Sequence, residues 1–258
     1  MKIEEIFSDL RQYTDHLDTK VINVIKYKAE SNYFETPEGS KINIKLSNYK
    51  EIILQEETKL ELGGINRKSF SLVYALNKPI FKKLLNDKLI TLIGPEIKDI
   101  SEFSIDFGMI ILIGGTNITE KDLDAFKRFN FISNGIEGFL IRSVPRRFWC
   151  RISSTIIEKN FSFQFLGNAI LTLYKQKFGK LIEAMEIIFV NSYSDIIDDY
   201  IRITSKIREQ INKRWIEKIE NWRKRIDCDY DWGCEICPYR EVCYDIKQVL
   251  VEREKIEK

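Results

Sequence analysis

An alternation of short apolar segments with helical segments, running from Lys59 to Val190, constrains this 258-residue chain more than any other feature. Seven apolar segments predict strands, at Leu60–Leu62, Phe70–Leu76, Leu89–Ile93, Met109–Ile113, Phe139–Ile141, Phe148–Ile152 and Glu186–Val190. Apolar residues at three- and four-residue spacing predict helices over Glu120–Phe131 and Leu166–Phe178. Such alternation is typical of helices packed on a sheet, so the sequence predicts an α/β (α+β) domain with a mixed sheet. The strand order does not follow from it.

The segments on either side differ in pattern. The opening residues predict an amphipathic helix from their apolar spacing, at Ile3, Ile6, Phe7, Leu10, Tyr13 and Leu17. Ile42, Ile44 and Leu46 alternate with polar residues and predict a strand. Apolar residues from Ile196 to Ile226 predict one long amphipathic helix. We therefore expect an N-terminal helix and strand extension over 1–50, the α/β domain over 51–192, and a long helix with a metal segment over 193–258.

The metal prediction rests on Cys228, Cys234, Cys237 and Cys243, which fall within sixteen residues, whereas Cys150 lies apart. In a reducing cytoplasm such grouping indicates metal binding before disulfides. Thiolates are soft ligands that favour iron-sulfur clusters, zinc and copper(I). A proline directly after the third of these cysteines favours one [4Fe-4S] cluster held by all four, with a zinc site as the alternative. Either metal centre could be a purely structural staple.

Charge and composition narrow the function further. Lys and Arg number 41 against 39 Asp and Glu, a net charge of +2, which predicts no nucleic-acid partner. The longest apolar run, Phe107–Gly115, is shorter than the roughly 20 residues of a membrane helix. The acidic start, Met1–Glu5, is unlike a signal peptide, so we expect a cytoplasmic protein that does not bind membranes. A single histidine, His16, argues against histidine-based triads and histidine-rich zinc sites.

A basic segment is the best ligand candidate apart from the cysteines. In strand alternation Arg147, Trp149 and Arg151 share one face, where the guanidinium groups could bind phosphates and the indole could stack on adenine. Arg142 and Arg146 add to the same positive segment. The alternative is an edge strand protected from aggregation by its charge.

Four sequence blocks resemble a known family. Leu-Glu-Leu-Gly-Gly at 60–64, Leu-Ile-Gly-Pro-Glu-Ile at 92–97, Asn-Gly-Ile-Glu-Gly at 134–138 and Trp-Cys-Arg-Ile-Ser at 149–153 stand in this order. Similar blocks occur in the same order in the beta subunit of acetyl-CoA synthase/decarbonylase, the CO dehydrogenase/acetyl-CoA synthase complex. There they read approximately Val-Glu-Leu-Gly-Gly, Val-Ile-Gly-Pro-Asp-Ile, Asn-Tyr-x-x-Gly and Trp-x-Arg-Ile-Ser. The resemblance covers roughly residues 55–245.

The resemblance implies an α/β domain followed by the A-cluster, a [4Fe-4S] cube bridged to two nickel ions, and CoA binding in the α/β domain. Cys234, Cys237 and Cys243 look like the opening of that cluster segment, with Cys237 at the nickel-bridging position. Fewer residues separate Cys237 from Cys243 than in the family. Cys228 is the nearby replacement for a ligand that the family places downstream, and Cys150 is the alternative fourth ligand. These 258 residues contain no Cys-Gly-Cys for the distal nickel, so we expect no nickel and an accessory or partial role.

Three functions remain as hypotheses. The first is an acetyl-CoA-synthase-beta-like iron-sulfur protein in one-carbon, CO or corrinoid metabolism, with a corrinoid protein or a CO dehydrogenase-type subunit as partner. If it is an enzyme, the resemblance implies a CO-methylating acetyl-CoA synthase-like acyltransferase that requires that partner. The second is a CoA- or nucleotide-binding module stapled by zinc or an iron-sulfur cluster. The third, a RecB-like nuclease with an iron staple, lacks a convincing acidic-acidic-Lys metal set.

Overall fold

A computed structural model describes residues 3–18, 23–29, 42–44, 53–64, 66–77, 79, 81–132, 135–144 and 147–205, together with 209, 213 and 217. The chain divides into two compact units, Met1–Thr204 and Ser205–Lys258. The fold below is that of the first unit. The four clustered cysteines lie outside the described residues.

The described part of the first unit contains helices and strands in alternation. The helices are α1 (Ile3–Asp18), α2 (Phe81–Leu84), α3 (Glu120–Ile132), α4 (Ser154–Ile157), α5 (Phe163–Phe178) and α6 (residues 194–205), and a 3-10 turn spans Ile97–Asp99. The strands are β1 (Val24–Lys28), β2 (Thr58–Leu62), β3 (Ser69–Leu76), β4 (Leu89–Ile93), β5 (Ser104–Ile105), β6 (Phe107–Gly114), β7 (Phe139–Val144), β8 (Arg147–Ser153) and β9 (Ala184–Asn191).

Five strands form the larger sheet, in the order β1-β4-β9-β6-β3. β4 pairs with β9 in parallel and β3 pairs with β6 in parallel, while β6 and β9 run antiparallel. Every residue of β6 and of β9 is buried, because both faces of these two central strands are covered. The apolar runs Met109–Ile113 and Ile187–Val190 within them therefore reflect burial on two sides.

Four strands form the smaller sheet, in the order β5-β2-β8-β7. β8 is antiparallel to both of its neighbours, and the two-residue strand β5 adds to β2 in parallel. Along β8, Phe148, Cys150 and Ile152 are buried, whereas Trp149 and Arg151 are partly exposed. The period of two thus separates a core face from an outer face.

The main core lies between the inner faces of the two sheets and the helix α5. Phe107 of β6 joins these layers, because its ring stacks on Phe148 of β8, Phe163 of α5 and Phe189 of β9 at centroid distances of 6.0–6.2 Å. Offset aromatic stacking at such distances stabilises the fold beyond the contribution of the area that each ring buries. Through these three contacts, the aromatic ring at the start of β6 fixes the smaller sheet against the larger one.

The opposite face of the larger sheet is covered by α1 and α6. Ile6, Phe7 and Leu10 of α1 are buried, as the apolar spacing predicts. Thr14 of α1 shares a hydrogen bond of 2.8 Å with the hydroxyl of Tyr200 in α6. This second layer explains why the outer face of β9 is as buried as its inner face.

The predicted α/β fold with a mixed sheet and packed helices is confirmed, and all seven predicted strands lie within observed ones. Two of the described strands were not predicted. β1 is a half-exposed edge strand with little apolar contrast, and β5 has two residues. Of the predicted 42–46 strand, the described residues show one bridge, between Ile44 and Ile136. The long helix beyond residue 205 and the cysteine segment fall almost wholly outside the described residues, and the three-part division stays a prediction.

No helix within the described ranges combines the length and the apolar character that a membrane span requires.

Candidate functional site

Two of the four family-like blocks meet on the outer face of the smaller sheet. Glu61 of β2 lies opposite Arg151 of β8 in the strand register. Arg151 Nε donates to Glu61 Oε1 at 3.3 Å, and Arg151 Nη1 donates to the carbonyl of Ile53 at 3.2 Å. The two side chains are 16% and 27% exposed, so the pair is partly shielded from water. The arginine of the Trp-x-Arg-Ile-Ser block is thereby held to the Leu-Glu-Leu-Gly-Gly block.

Two glycines of these blocks allow the chain to pass close to β8. Gly63 has a φ of +73°, and a Cβ on it would lie 2.6 Å from the carbonyl oxygen of Phe148. Gly138 has a φ of +67°, and a Cβ there would lie 2.5 Å from the hydroxyl of Ser153. Left-handed backbone and such short approaches both exclude larger side chains. The glycines of two blocks thus have a structural role at the edges of β8.

The carboxylate of Glu96, in the Leu-Ile-Gly-Pro-Glu-Ile block, connects three elements. It accepts hydrogen bonds from the backbone N–H of Ile97 at 3.1 Å, from the N–H of Phe163 at 3.0 Å and from the hydroxyl of Tyr27 at 2.8 Å. Phe163 is the first residue of α5, where a negative charge is favourable beside unpaired N–H groups. Burial raises the pKa of Tyr27, and the bond to Glu96 raises it further, so this hydroxyl stays a donor.

The predicted phosphate site falls on the outer face of β8. Trp149 and Arg151 share that face, as the alternation predicts, and both are partly exposed. Of Arg147 the structure describes the backbone, in β8, opposite Val144. Arg151 already has an anionic partner, so a phosphate there would have to share the guanidinium with Glu61. The binding role of these residues remains a prediction.

Cys150 is separated from solvent. It lies on the core face of β8 with 0% exposure, and burial raises the pKa of its thiol well above the usual value. Metals bind thiolates, so a thiol kept protonated in an apolar core is a poor ligand. Within the described ranges no three His, Cys, Asp or Glu side chains converge on a possible metal site. The four clustered cysteines are not among those residues.

The sequence analysis missed two buried polar side chains, one on the larger sheet and one on α5. Glu186 of β9 is 3% exposed and accepts from Arg11 of α1 at 2.6 Å. Asn168 of α5 is 4% exposed and lines a cavity. A glutamate within a predicted apolar strand was a usable signal for the first. No sequence spacing marks the second, because its neighbours come from distant segments.

The described unit is a mixed α/β domain. Residues of the four family-like blocks lie where its strands, turns and helices contact one another. A family described as the CO dehydrogenase/acetyl-CoA synthase complex beta subunit matches residues 42–196, more than half of the chain. The chain therefore belongs to this family, and the resemblance seen in the sequence is confirmed.

The names of similar proteins are consistent with this family. Acetyl-CoA decarbonylase/synthase complex subunit beta of Methanopyrus kandleri is 25% identical over 128 residues, covering 48% of this chain and 27% of the relative. Subunit beta 2 of Methanosarcina thermophila is 27% identical over 199 residues, covering 72% of this chain and 38% of the relative. Subunit beta of Methanothermobacter thermautotrophicus is 21% identical over 159 residues, with coverage of 60% and 33%. The chain thus spans about a third of the length of the curated relatives it matches.

Proposed function

We propose that this chain is an acetyl-CoA-synthase-beta-like iron-sulfur protein that acts, as an accessory component, in CO, one-carbon or corrinoid metabolism. The family match over residues 42–196 carries the proposal. The matched relatives are named as subunits of a complex, which supports a protein partner such as a corrinoid protein or a CO dehydrogenase-type subunit. An acyltransferase reaction, if the chain takes part in one, would be completed with that partner.

The proposed cofactor is one [4Fe-4S] cluster held by Cys228, Cys234, Cys237 and Cys243. Four soft donors within sixteen residues fit such a cluster, with the central Cys-x2-Cys pair and two five-residue arms. The burial of Cys150 supports its exclusion from the set. A bound cluster would supply one-electron chemistry or a site for ligand binding at iron. The chain itself contributes the thiolates and the α/β domain that precedes them.

Anaerobic purification of the full chain tests the cluster. We expect iron and labile sulfide together with broad visible absorption, and we expect Cys237→Ser to lose most of both because it removes a ligand. Cys150→Ala is the matched control, since it removes a thiol and adds no polar atom to the core; its iron content should equal that of the wild type. Zinc without labile sulfide would contradict the proposal, as would loss of iron in Cys150→Ala with retention in Cys228→Ser.

A second candidate function is coenzyme A or nucleotide binding on the outer face of β8. The observation in its favour is that Trp149 and Arg151 are partly exposed on one face, with the indole able to stack on a base. Arg147 would add a second phosphate contact from the start of the same strand. The metal segment would then be a staple, and ligand binding would persist in a metal-free protein.

A further inference from the structure

Two open cavities lie side by side at the edge of the larger sheet where β4 and β9 begin. The first, of about 570 Å³, opens between α2 and these strands, and the second, of about 110 Å³, lies beside α5. Asp87 and Glu183 line both of them, so the two cavities form one groove. Its charged lining, which we call the basic groove, consists of Lys28, Lys82, Lys88, Lys175, Asp87 and Glu183. The lining includes no residue of β8 and none of the clustered cysteines, so the groove is distinct from both sites proposed above.

The basic groove has more positive than negative charge, because its two cavities share the same two carboxylates. Asp87 Oδ1 accepts from the N–H of Met185 at 3.2 Å, and Glu183 Oε1 accepts from the N–H of Thr116 at 2.9 Å. Lys82 Nζ lies 3.9 Å from Glu183 Oε2, and the two side chains are 66% and 38% exposed, so water screens this pair. Four lysines thus accompany two carboxylates that already accept backbone hydrogen bonds.

The other three lysines of the groove form no ion pair with a described residue. Elsewhere on the described surface, charged side chains are often paired. Examples are Arg67–Glu102, Lys159–Glu137 and Arg202–Asp199, with distances of 2.7–2.8 Å. Like charges that are grouped without counter-charges repel one another and lower the stability of a fold. A partner that supplies carboxylates would relieve this repulsion.

The lining of the groove favours a protein partner over a nucleic acid. Its described residues include no arginine, so the bidentate contact that arginine makes with phosphate is missing. The aromatic ring in the lining, Phe81, is 1% exposed and is too buried to stack on a base. Leu171 and Ile182 are partly exposed and add apolar area among the charged groups. Apolar area with a polar rim is typical of surfaces that bind proteins.

We propose that the basic groove is the docking surface for an acidic protein partner. Carboxylates of that partner lie among the four lysines, and its apolar side chains contact Leu171 and Ile182. Opposite charges steer the two proteins together, whereas exposed ion pairs stabilise the complex only weakly, so the association is fast and transient. The proposal rests on the proposed function only for the existence of a protein partner. Its test measures binding and not iron, so its failure is distinguishable from failure of the cluster.

A decaglutamate peptide is the probe, and NMR titration of the ¹⁵N-labelled full chain is the measurement. We expect shifts in the amides of α2 and of residues 171–175. Raising the NaCl concentration from about 0.05 M to about 0.5 M should weaken binding at least about tenfold, because salt screens exposed charges. A thymidine decanucleotide is the comparison. Tighter binding of the oligonucleotide would favour a nucleic acid and overturn the proposal, as would an absence of shifts with decaglutamate.

A substitution of a groove carboxylate should have the opposite sign to a substitution of a groove lysine. Glu183→Gln removes one negative charge and keeps an oxygen that can accept from Thr116. It should therefore tighten decaglutamate binding about twofold. Weaker binding in this variant would contradict a contact between the probe and the groove.

Charge reversals then locate the surface. The double variant Lys82→Glu/Lys175→Glu should weaken decaglutamate binding at least about tenfold, because both lysines are exposed in the groove. The matched control is Lys98→Glu/Lys121→Glu, which changes the net charge equally at exposed lysines outside the groove. It should weaken binding by at most about twofold. Equal losses in the two double variants would show that only the net charge matters and would overturn the proposal.

Discussion

The ion pair between Arg11 of α1 and Glu186 of β9 allows a direct test of what stabilises α1 on the larger sheet. Arg11 Nη2 donates to Glu186 Oε2 at 2.6 Å and to the carbonyl of Leu84 at 2.7 Å. The N–H of Asn86 donates to the same carboxylate oxygen at 3.0 Å. Because Glu186 is only 3% exposed, these donors replace the water that an ionised carboxylate would otherwise bind.

The two partners should respond differently to substitution. Arg11→Met keeps the apolar stem but leaves a buried charge, and we expect it to lower the free energy of unfolding by about 3 kcal/mol at neutral pH. This is the lower end of the range for buried pairs, because Arg11 is 27% exposed. Glu186→Gln removes the charge and keeps an acceptor, so about 1 kcal/mol is expected. The double variant should lose only about 2 kcal/mol, a coupling of about 2 kcal/mol.

The penalty should also depend on pH. Burial raises the pKa of Glu186, and the charge of Arg11 opposes that rise. Without Arg11 the folded-state pKa rises further, so the folded protein holds a proton that the unfolded chain releases above its ordinary pKa of 4.5. Stability of Arg11→Met therefore falls relative to wild type as the pH increases from below 4.5 towards neutrality. Urea unfolding followed by circular dichroism measures this. A penalty independent of pH, or equal losses in both single variants, would refute the reasoning.

Two further predictions concern the family-like blocks. If coenzyme A uses Arg151, Glu61→Gln should tighten binding and Arg151→Ala should weaken it about tenfold, as read by Trp149 fluorescence; changes of the same sign would contradict a direct phosphate contact. Glu96→Ala should cost about 2–3 kcal/mol in thermal unfolding, because three donors lose a charged acceptor, whereas Ser162→Ala, which removes only the acceptor of the Phe165 N–H at the start of α5, should cost about 1 kcal/mol. Equal losses would show that Glu96 has no special role.

The strands of the central sheet were predictable because burial on two faces leaves unbroken apolar runs. Met109–Ile113 is an example, and Leu89–Ile93, which only Thr91 interrupts, was predicted with the observed bounds. β1 was not predictable in this way: Val24–Lys28 alternates weakly, and among the described strands it pairs with β4 alone. Edge strands gain much of their order from the neighbour they join, which local sequence does not encode.

The candidate sites also combine features that the sequence predicts with features that depend on tertiary contacts. The shared face of Trp149 and Arg151 follows from a period of two, but the partner of Arg151 does not, since Glu61 lies ninety positions earlier in the chain. The cavity that Asn168 lines likewise depends on the packing of α5 against the ends of strands. Such tertiary contacts carry no periodic signal in the sequence.

The central position of β9 has a consequence for folding during synthesis of the protein. β9 separates β4 from β6, although it follows both of them in the chain by about 70 residues or more. During synthesis on the ribosome, β4 and β6 are therefore complete long before their common neighbour exists, and each presents an open edge of backbone donors and acceptors. Pairings between distant segments also form slowly. The nascent chain is thus most exposed to aggregation in the interval between the emergence of β6 and the arrival of β9.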